Sequence, residues 1–209
     1  MIDIILLALV AAFVALRLRS VLGTRNEFDE PESPLTPSAH VQQPEPAPVA
    51  DLGQYRKLTG AMKRSVQNIQ EKDPSFDIGQ FVDGASQAYD MILSAFWAGD
   101  LSDVETYLDD DVKAMFAGAI EDRIAQGFTV ENRLIEIEDV AFEKISVRKG
   151  VAEITLRFSS QIVSITRNAT GDVVEGSMTD TVEMVDIWTF TRNLESDDPN
   201  WLLVATMAE

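Results

Sequence analysis

Carboxylates are the side chains of this sequence that could carry out acid–base chemistry within a folded domain. The chain has no cysteine, and its single histidine, His40, lies in a proline-rich stretch, so a domain could use neither thiol nucleophiles nor histidine acid–base pairs. Asp186 shares one face of an apolar strand pattern with Trp188 and Phe190, and burial there would raise its pKa and make it a candidate general base. The favoured alternative is a structural role for Asp186, either in an ion pair with Arg157 of a neighbouring strand or as a strand-edge residue. We therefore predict no catalytic residue and no enzyme activity.

Three consecutive aspartates, Asp109 to Asp111, form an acidic run that could hold a cation. They directly precede an apolar stripe at helical spacing, and aspartate side chains at a helix start accept backbone N–H groups and complement the helix dipole. A helix cap is therefore the favoured interpretation. No glycine-rich phosphate loop is present. We predict neither a metal nor a cofactor.

The charge balance excludes one class of partner. The sequence contains 17 basic and 35 acidic residues, which gives a net charge of −18. A domain of this charge is repelled by the phosphates of nucleic acids. Nucleic-acid binding is therefore not expected.

The elements that would position these residues are helices followed by strands. Apolar residues recur at helical spacing over 81–96 and 112–123, and Gly99 and Gly127 end these patterns. Alternating strand patterns with short turns between them then follow, and the first shifts phase near Asp139. These strand patterns cover residues 134–147, 151–166, 173–192 and 201–206. Grouped helices before an antiparallel meander predict an α+β fold with about four strands.

The strands also supply large apolar side chains that could surround a cavity for a lipid tail or a hydrophobic segment. The alternative is that these side chains fill the core. The candidates for lining such a pocket are Phe142, Ile154, Leu156, Phe158, Trp188 and Phe190.

A basic amphipathic helix is predicted over residues 54–73, before the domain. Its apolar stripe consists of Tyr55, Leu58, Met62, Val66 and Ile69, and Asp73-Pro74 ends it. The stripe could pack on the domain, or the helix could be a mobile arm that contacts a partner or lipid headgroups. The residues proposed for such a contact are Arg56, Lys57, Lys63 and Arg64.

The N-terminal 23 residues predict a membrane anchor. An apolar run begins at Ile4 and ends before Arg17 and Arg19, without the basic start and small-residue cleavage site of a signal peptide. Basic residues near a span stay in the cytoplasm, so we expect the N-terminus outside and the C-terminal domain in the cytoplasm. Residues 24–53, rich in proline and acidic residues, predict a disordered linker.

Two groups of motifs carry a resemblance to a known family. The first lies before the predicted sheet and the second at its end. They read Asp73-Pro-Ser-Phe76-Asp77, Phe81-x-x-Gly84-Ala85-x-x-Ala88-Tyr89-x-Met91-Ile92 and Phe96-x-x-Gly99-Asp100-Leu101, then Asp186-Ile-Trp188-Thr-Phe190-x-Arg192 and Ser196-x-Asp198-Pro199-Asn200-Trp201-x-Leu-Val-Ala-Thr206. Residues 74–209 therefore resemble the C-terminal domain of the mitochondrial inner-membrane translocase subunit 44, in its bacterial membrane-anchored (Tim-A-like) branch.

This resemblance implies a fold like the nuclear-transport-factor-2 cone, in which helices pack on a curved antiparallel sheet. It also implies a location at the bacterial inner membrane. The expected function is that of an adaptor or scaffold that holds cytoplasmic protein partners at the membrane, in protein translocation or the assembly of membrane complexes. The alternative is a binding module whose apolar pocket holds a lipid or another hydrophobic ligand.

Overall fold

The structure, a computed structural model, describes residues 58–209. The predicted anchor over 1–23, the linker over 24–53, and Arg56 and Lys57 lie outside the described residues. Among the helices that the structure describes, none is both long enough and apolar enough to cross a membrane. The anchor therefore stays a prediction.

Three helices precede the sheet, and each begins at a side-chain cap. They are α1 (Gly60–Lys72), α2 (Ile78–Ala98) and α3 (Asp110–Ala125), with a short 3-10 helix over Glu105–Tyr107 before α3. The side chains of Thr59, Asp77 and Asp109 accept hydrogen bonds from the backbone N–H groups of Met62, Gln80 and Asp111. These bonds satisfy amides that have no partner within the helix. The predicted capping by the aspartate run is thus confirmed for Asp109.

The basic helix is shorter than predicted at its N-terminal end. Thr59 has extended backbone angles and caps α1, so the helix begins at Gly60 and does not run through Leu58 from residue 54. Its end is as predicted, because Lys72 is the last helical residue before Asp73-Pro74. Ile69 is fully buried, and Leu58, Met62 and Val66 pack against the core. In the described residues this helix is therefore docked on the domain.

Five antiparallel strands form one sheet, where about four were predicted; the additional strand has two residues, Thr129–Val130, and precedes the first predicted strand pattern. The antiparallel meander of the other four strands is confirmed. The strands are β1 (Thr129–Val130), β2 (Arg133–Arg148), β3 (Val151–Arg167), β4 (Val173–Asn193) and β5 (Leu202–Ala208). β1 and β2 pair with one side of β3, β4 pairs with its other side, and β5 pairs with β4. The phase shift expected near Asp139 corresponds to a register shift between Ile137 and Asp139 in the pairing of β2 with β3.

A second irregularity depends on a glycine in β4. Val163 pairs with Thr181 while Ser164 pairs with Ser177, so Met178, Thr179 and Asp180 bulge out of the ladder. Gly176 has φ 86°, and a Cβ atom at this position would lie 1.9 Å from the carbonyl oxygen of Ser164. The backbone path of β4 therefore requires glycine at residue 176.

The core lies between the helices and one face of the sheet. Alternate residues of β3 are buried there, namely Ala152, Ile154, Leu156, Phe158, Ser160 and Ile162. They meet the apolar side of α2, where Tyr89 and Ile92 are fully buried. The α+β class is therefore as predicted, and the likeness to the nuclear-transport-factor-2 cone stays a prediction.

Candidate functional site

The residues predicted to line an apolar pocket lie mostly in the packed core. Ile154, Leu156 and Phe158 of β3 have no exposed surface, and Trp188 and Phe190 of β4 are at most 3% exposed. Phe142 of β2 is partly buried and packs against the same core. Five of the six side chains thus fill the core, as the alternative interpretation of the sequence expected. Ligand binding among them stays a prediction.

A buried polar cluster lies within this core. The Tyr89 hydroxyl of α2 donates a 2.7 Å hydrogen bond to Oδ2 of Asp186 on β4, and it lies 3.1 Å from the Ser160 hydroxyl oxygen on β3. Tyr89 and Ser160 have no exposed surface, and Asp186 is 8% exposed. Burial raises the pKa of Asp186, and the Tyr89 hydrogen bond opposes that rise. Burial, followed by the charge of Asp186, raises the pKa of Tyr89.

The expected ion pair between Asp186 and Arg157 is wrong. Arg157 bonds instead to the carboxylate of Glu209 at 2.6 Å. The pairing register aligns Arg157 with Ile187 and Phe158 with Asp186. Because side chains alternate along a strand, Arg157 lies on the sheet face opposite the core, and Asp186 faces Tyr89. The prediction that Asp186, Trp188 and Phe190 share one face is confirmed, since all three are buried.

A groove runs along α2 on the outside of the domain, and we call it the α2 groove. On one side it is lined by residues within 73–77 and, on α2, by residues within 80–91. The other lining residues are Phe190 and Arg192 of β4, residues 199–201 before β5, and Tyr107 of the 3-10 helix. The space is about 420 Å³. All lining residues except Gln80, Gln87 and Tyr107 belong to the motifs that carry the family resemblance. Segments more than 100 positions apart in the sequence are thereby brought to one surface.

Aromatic rings form the floor of this groove. The ring centroids of Phe81 and Trp201 are 4.7 Å apart, and those of Phe76 and Trp201 are 5.9 Å apart. Phe81 also meets Phe190 edge to face at 6.0 Å. Such edge-to-face and tilted contacts are favourable arrangements of aromatic side chains. The floor is therefore packed by its own residues and needs no ligand to hold its shape.

An ion pair fixes the end of the groove. Nη1 of Arg192 donates to Oδ2 of Asp73 at 2.8 Å, and both side chains are 14% exposed. Nε of Arg192 also donates to the carbonyl oxygen of Asp198. The hydroxyl of Ser75, and then Arg192, lower the pKa of Asp73. This pair ties the end of α1 to the last residues of β4 and to the loop before β5.

The predicted basic contact residues are separate from the α2 groove. Lys63 and Arg64 are exposed on α1, and neither lines the groove. In residues 58–209 no group of acidic, histidine or cysteine side chains is arranged to hold a metal ion. The α2 groove was not predicted from the sequence, although the spacing of its motifs was the signal that marked those residues.

Comparison with known proteins points to one family. The sequence matches the family model described as the Tim44-like domain over residues 62–208. It is 26% identical over 141 residues to the Homo sapiens protein "Mitochondrial import inner membrane translocase subunit TIM44" and 25% identical over 122 residues to the Arabidopsis thaliana protein "Mitochondrial import inner membrane translocase subunit TIM44-1". These alignments cover 66% and 57% of this chain but only 31% and 25% of the relatives.

Among solved structures, the intermembrane space region of the chloroplast protein ARC6 aligns with a TM-score of 0.45 and 10% identity, covering 65% of this chain and 98% of that chain.

Proposed function

The chain belongs to the Tim44-like domain family, and we propose that it is a membrane-anchored adaptor that tethers cytoplasmic partners to the bacterial inner membrane. Its place would be in protein translocation or in the assembly of membrane complexes. The relatives are, by name, subunits of an inner-membrane import translocase. Because the matched region is about a third of their length, their complete activity is not carried over.

The observation that carries this proposal is the position of the family motifs. They build an open groove at the surface, with an aromatic floor of Phe76, Phe81 and Trp201. Aromatic side chains at the centre of a contact surface are typical of protein interfaces. In this floor Trp201 is partly exposed, and Phe76 and Phe81 are each 7% exposed. An adaptor needs a surface of this kind.

The anchoring part of the proposal rests on the sequence. The apolar run over residues 4–16 would hold the chain in the bilayer, and Arg17, Arg19 and Arg25 would keep the domain in the cytoplasm. A reporter fused after Glu209 should then be active in the cytoplasm. Activity of this reporter only in the periplasm would contradict the topology.

We propose further that the domain has no enzyme activity. The buried carboxyl of Asp186 accepts a hydrogen bond from Tyr89 within the core. This structural hydrogen bond accounts for a carboxyl at this position without a catalytic role. The alternative function, a module for a lipid or another hydrophobic ligand, would need access to side chains such as Leu156 and Trp188, which are buried. The adaptor is therefore the favoured function.

In-cell crosslinking followed by affinity capture tests the adaptor. The full-length protein is compared with a shortened chain that begins at Asp51 and therefore lacks the predicted anchor and most of the linker. Proteins captured reproducibly by the full-length form, and weakly by the shortened form, are the expected result. Equal capture by both forms would contradict the need for an anchor.

Mass spectrometry of the shortened chain that begins at Asp51, purified without detergent, separates the adaptor from the ligand module, because that chain lacks the predicted anchor that would itself retain lipid. Capture of no reproducible protein, together with a lipid retained in stoichiometric amount, would replace the adaptor by the ligand module.

A further inference from the structure

We propose that the α2 groove binds a segment of a protein partner that carries a bulky apolar side chain flanked by Lys or Arg. This inference rests on the adaptor function, because it names the chemistry of the partner that the adaptor would hold. Three properties of the groove carry it: a trough along α2, walls of one charge, and a cation that is already paired.

The trough results from small residues on the exposed side of α2. Gly84 and Ala88 line it, and a Cβ atom added at Gly84 would meet no atom within 4 Å. The floor beside them is aromatic, and Met91, 43% exposed, lies at the other end of the same helix stripe. The trough thus offers apolar surface and free volume for a large side chain.

The walls carry acidic charge. The exposed Asp77, which caps α2, lines the groove. Asp83 and Asp90 are exposed on α2 next to the lining residues but do not line the groove themselves. The facing loop between β4 and β5 carries exposed Asp197 and Asp198. α2 itself contains no basic residue. A cationic partner would therefore be attracted to both walls, and an acidic partner would be repelled.

Arg192 does not reverse this charge pattern. It is the one cation among the described residues that line the groove, and its guanidinium is bonded to the carboxylate of Asp73 and to the carbonyl of Asp198. A ligand carboxylate would have to compete with Asp73 for it. The charge that remains available to a partner is negative.

The length of the groove sets the size of the segment. From Asp77 to Met91 the helix rises about 20 Å, at about 1.5 Å per residue. An extended segment of about six residues, or about four turns of helix, covers this distance. A short peptide is therefore a sufficient probe.

The test uses the full-length protein in detergent and two labelled twelve-residue peptides. One peptide consists of leucine, phenylalanine and lysine, and in the other glutamate replaces every lysine. Fluorescence anisotropy measures binding at low and at high salt.

Two variants with matched controls test the groove itself. Gly84→Gln fills the trough, and Gly118→Gln is its matched control, because Gly118 is a helical glycine of α3 whose added Cβ would also meet no atom within 4 Å. The double variant Asp83→Lys/Asp90→Lys reverses the acidic charge beside the groove. Its control is Glu121→Lys/Asp122→Lys, which makes the same change in net charge at exposed positions of α3.

We expect the lysine peptide to bind, with an affinity that falls as salt rises, and the glutamate peptide not to bind. Gly84→Gln and Asp83→Lys/Asp90→Lys should each weaken binding about tenfold or more relative to their controls, which corresponds to about 1.4 kcal/mol. Equal binding of the two peptides, or equal loss in a groove variant and its control, would overturn the proposal. The adaptor function fails on a different result, namely that the full-length protein captures no partner in cells.

Discussion

Replacing Tyr89 with phenylalanine should destabilise the domain, because it removes the hydroxyl that donates to the buried carboxyl of Asp186. The ring itself would remain, together with its stacking on Phe158, whose centroid is 4.3 Å away. The change therefore removes a hydrogen bond without creating a large cavity. Asp186 is 8% exposed, so water has little access to replace the lost donor.

The size of the effect follows from the charge of the acceptor. A hydrogen bond to a charged group contributes about 1.5–3 kcal/mol, against about 1 kcal/mol between neutral groups. For a domain of this size 1 kcal/mol corresponds to about 2–4 °C in the melting temperature. Tyr89→Phe should therefore lower the melting temperature by about 3–12 °C at neutral pH.

The pH dependence gives the argument a second test through Asp186→Asn. Burial raises the pKa of Asp186 above its ordinary value of 3.8, so the folded chain holds this proton more tightly than the unfolded chain. Below about pH 4 Asp186 is protonated in both the folded and the unfolded state, so burying it costs no charge desolvation. Above the raised pKa Asp186 is charged in both states, and the full cost of burying its charge lowers the free energy of unfolding. The contribution of Asp186 to stability therefore falls as pH rises through this interval in the wild type, and Asp186→Asn lacks this contribution. The difference in unfolding free energy should shift in favour of Asp186→Asn as pH rises, and then level off.

Urea unfolding followed by tryptophan fluorescence measures both effects, since Trp188 lies 4.8 Å from Tyr89 between ring centroids. Tyr107→Phe is the matched control, because the Tyr107 hydroxyl makes no hydrogen bond within residues 58–209, and it should change stability by less than about 0.5 kcal/mol. The reasoning is refuted if Tyr89→Phe is as stable as the wild type at pH 7. It is also refuted if the advantage of Asp186→Asn shrinks as pH rises.

Three further predictions concern the backbone and the groove, and urea unfolding measures each. Gly176→Ala should cost about 3 kcal/mol or more, because strain at positive φ adds to a clash with a backbone oxygen. Gly171→Ala, with the same φ and open space, should cost about 1–2 kcal/mol, and equal losses would contradict the clash. Arg192→Ala should cost about 1.5–3 kcal/mol by breaking its pair with Asp73; a neutral result would mean that the pair does not stabilise the domain. Thr59→Ala should cost about 1 kcal/mol by removing the α1 cap, and no change would show that α1 does not depend on it.

The fold was predictable where local chemistry decides the structure. Helix ends could be read from Asp109, Gly99 and Pro74, because capping and backbone geometry act over a few residues. The meander could be read from short turns between alternating strands. The start of α1 was missed because its apolar stripe continues through Leu58, and periodicity alone does not reveal that Thr59 uses its hydroxyl as a cap. The bulge at Met178–Asp180 was missed for a similar reason, since the alternation of apolar and polar residues along a strand does not reveal how that strand aligns with its neighbour.

The contacts of the site were less predictable, because they join distant parts of the chain. Alternation correctly placed Asp186 with Trp188 on the buried face, but its partner Tyr89 lies 97 positions earlier, on a helix. Opposite charge suggested Arg157, and strand geometry places that residue on the other face. The pair of Asp73 with Arg192 spans 119 positions. Motif spacing marked these residues but could not show that they meet in one groove.

The packing of the α2 groove bears on how a partner would bind there. Phe76 and Phe81 are each 7% exposed and are held by Trp201 and Phe190, so the floor has little freedom to lose on binding. A preformed site avoids the cost of ordering its own side chains. Its acidic walls lie largely in solvent, where charge steers association more than it adds affinity. Salt should therefore slow the association of the lysine peptide much more than it speeds its dissociation, and stopped-flow kinetics would measure both rates. A salt effect confined to dissociation would mean that the peptide is held by buried charge pairs instead of steered by the walls.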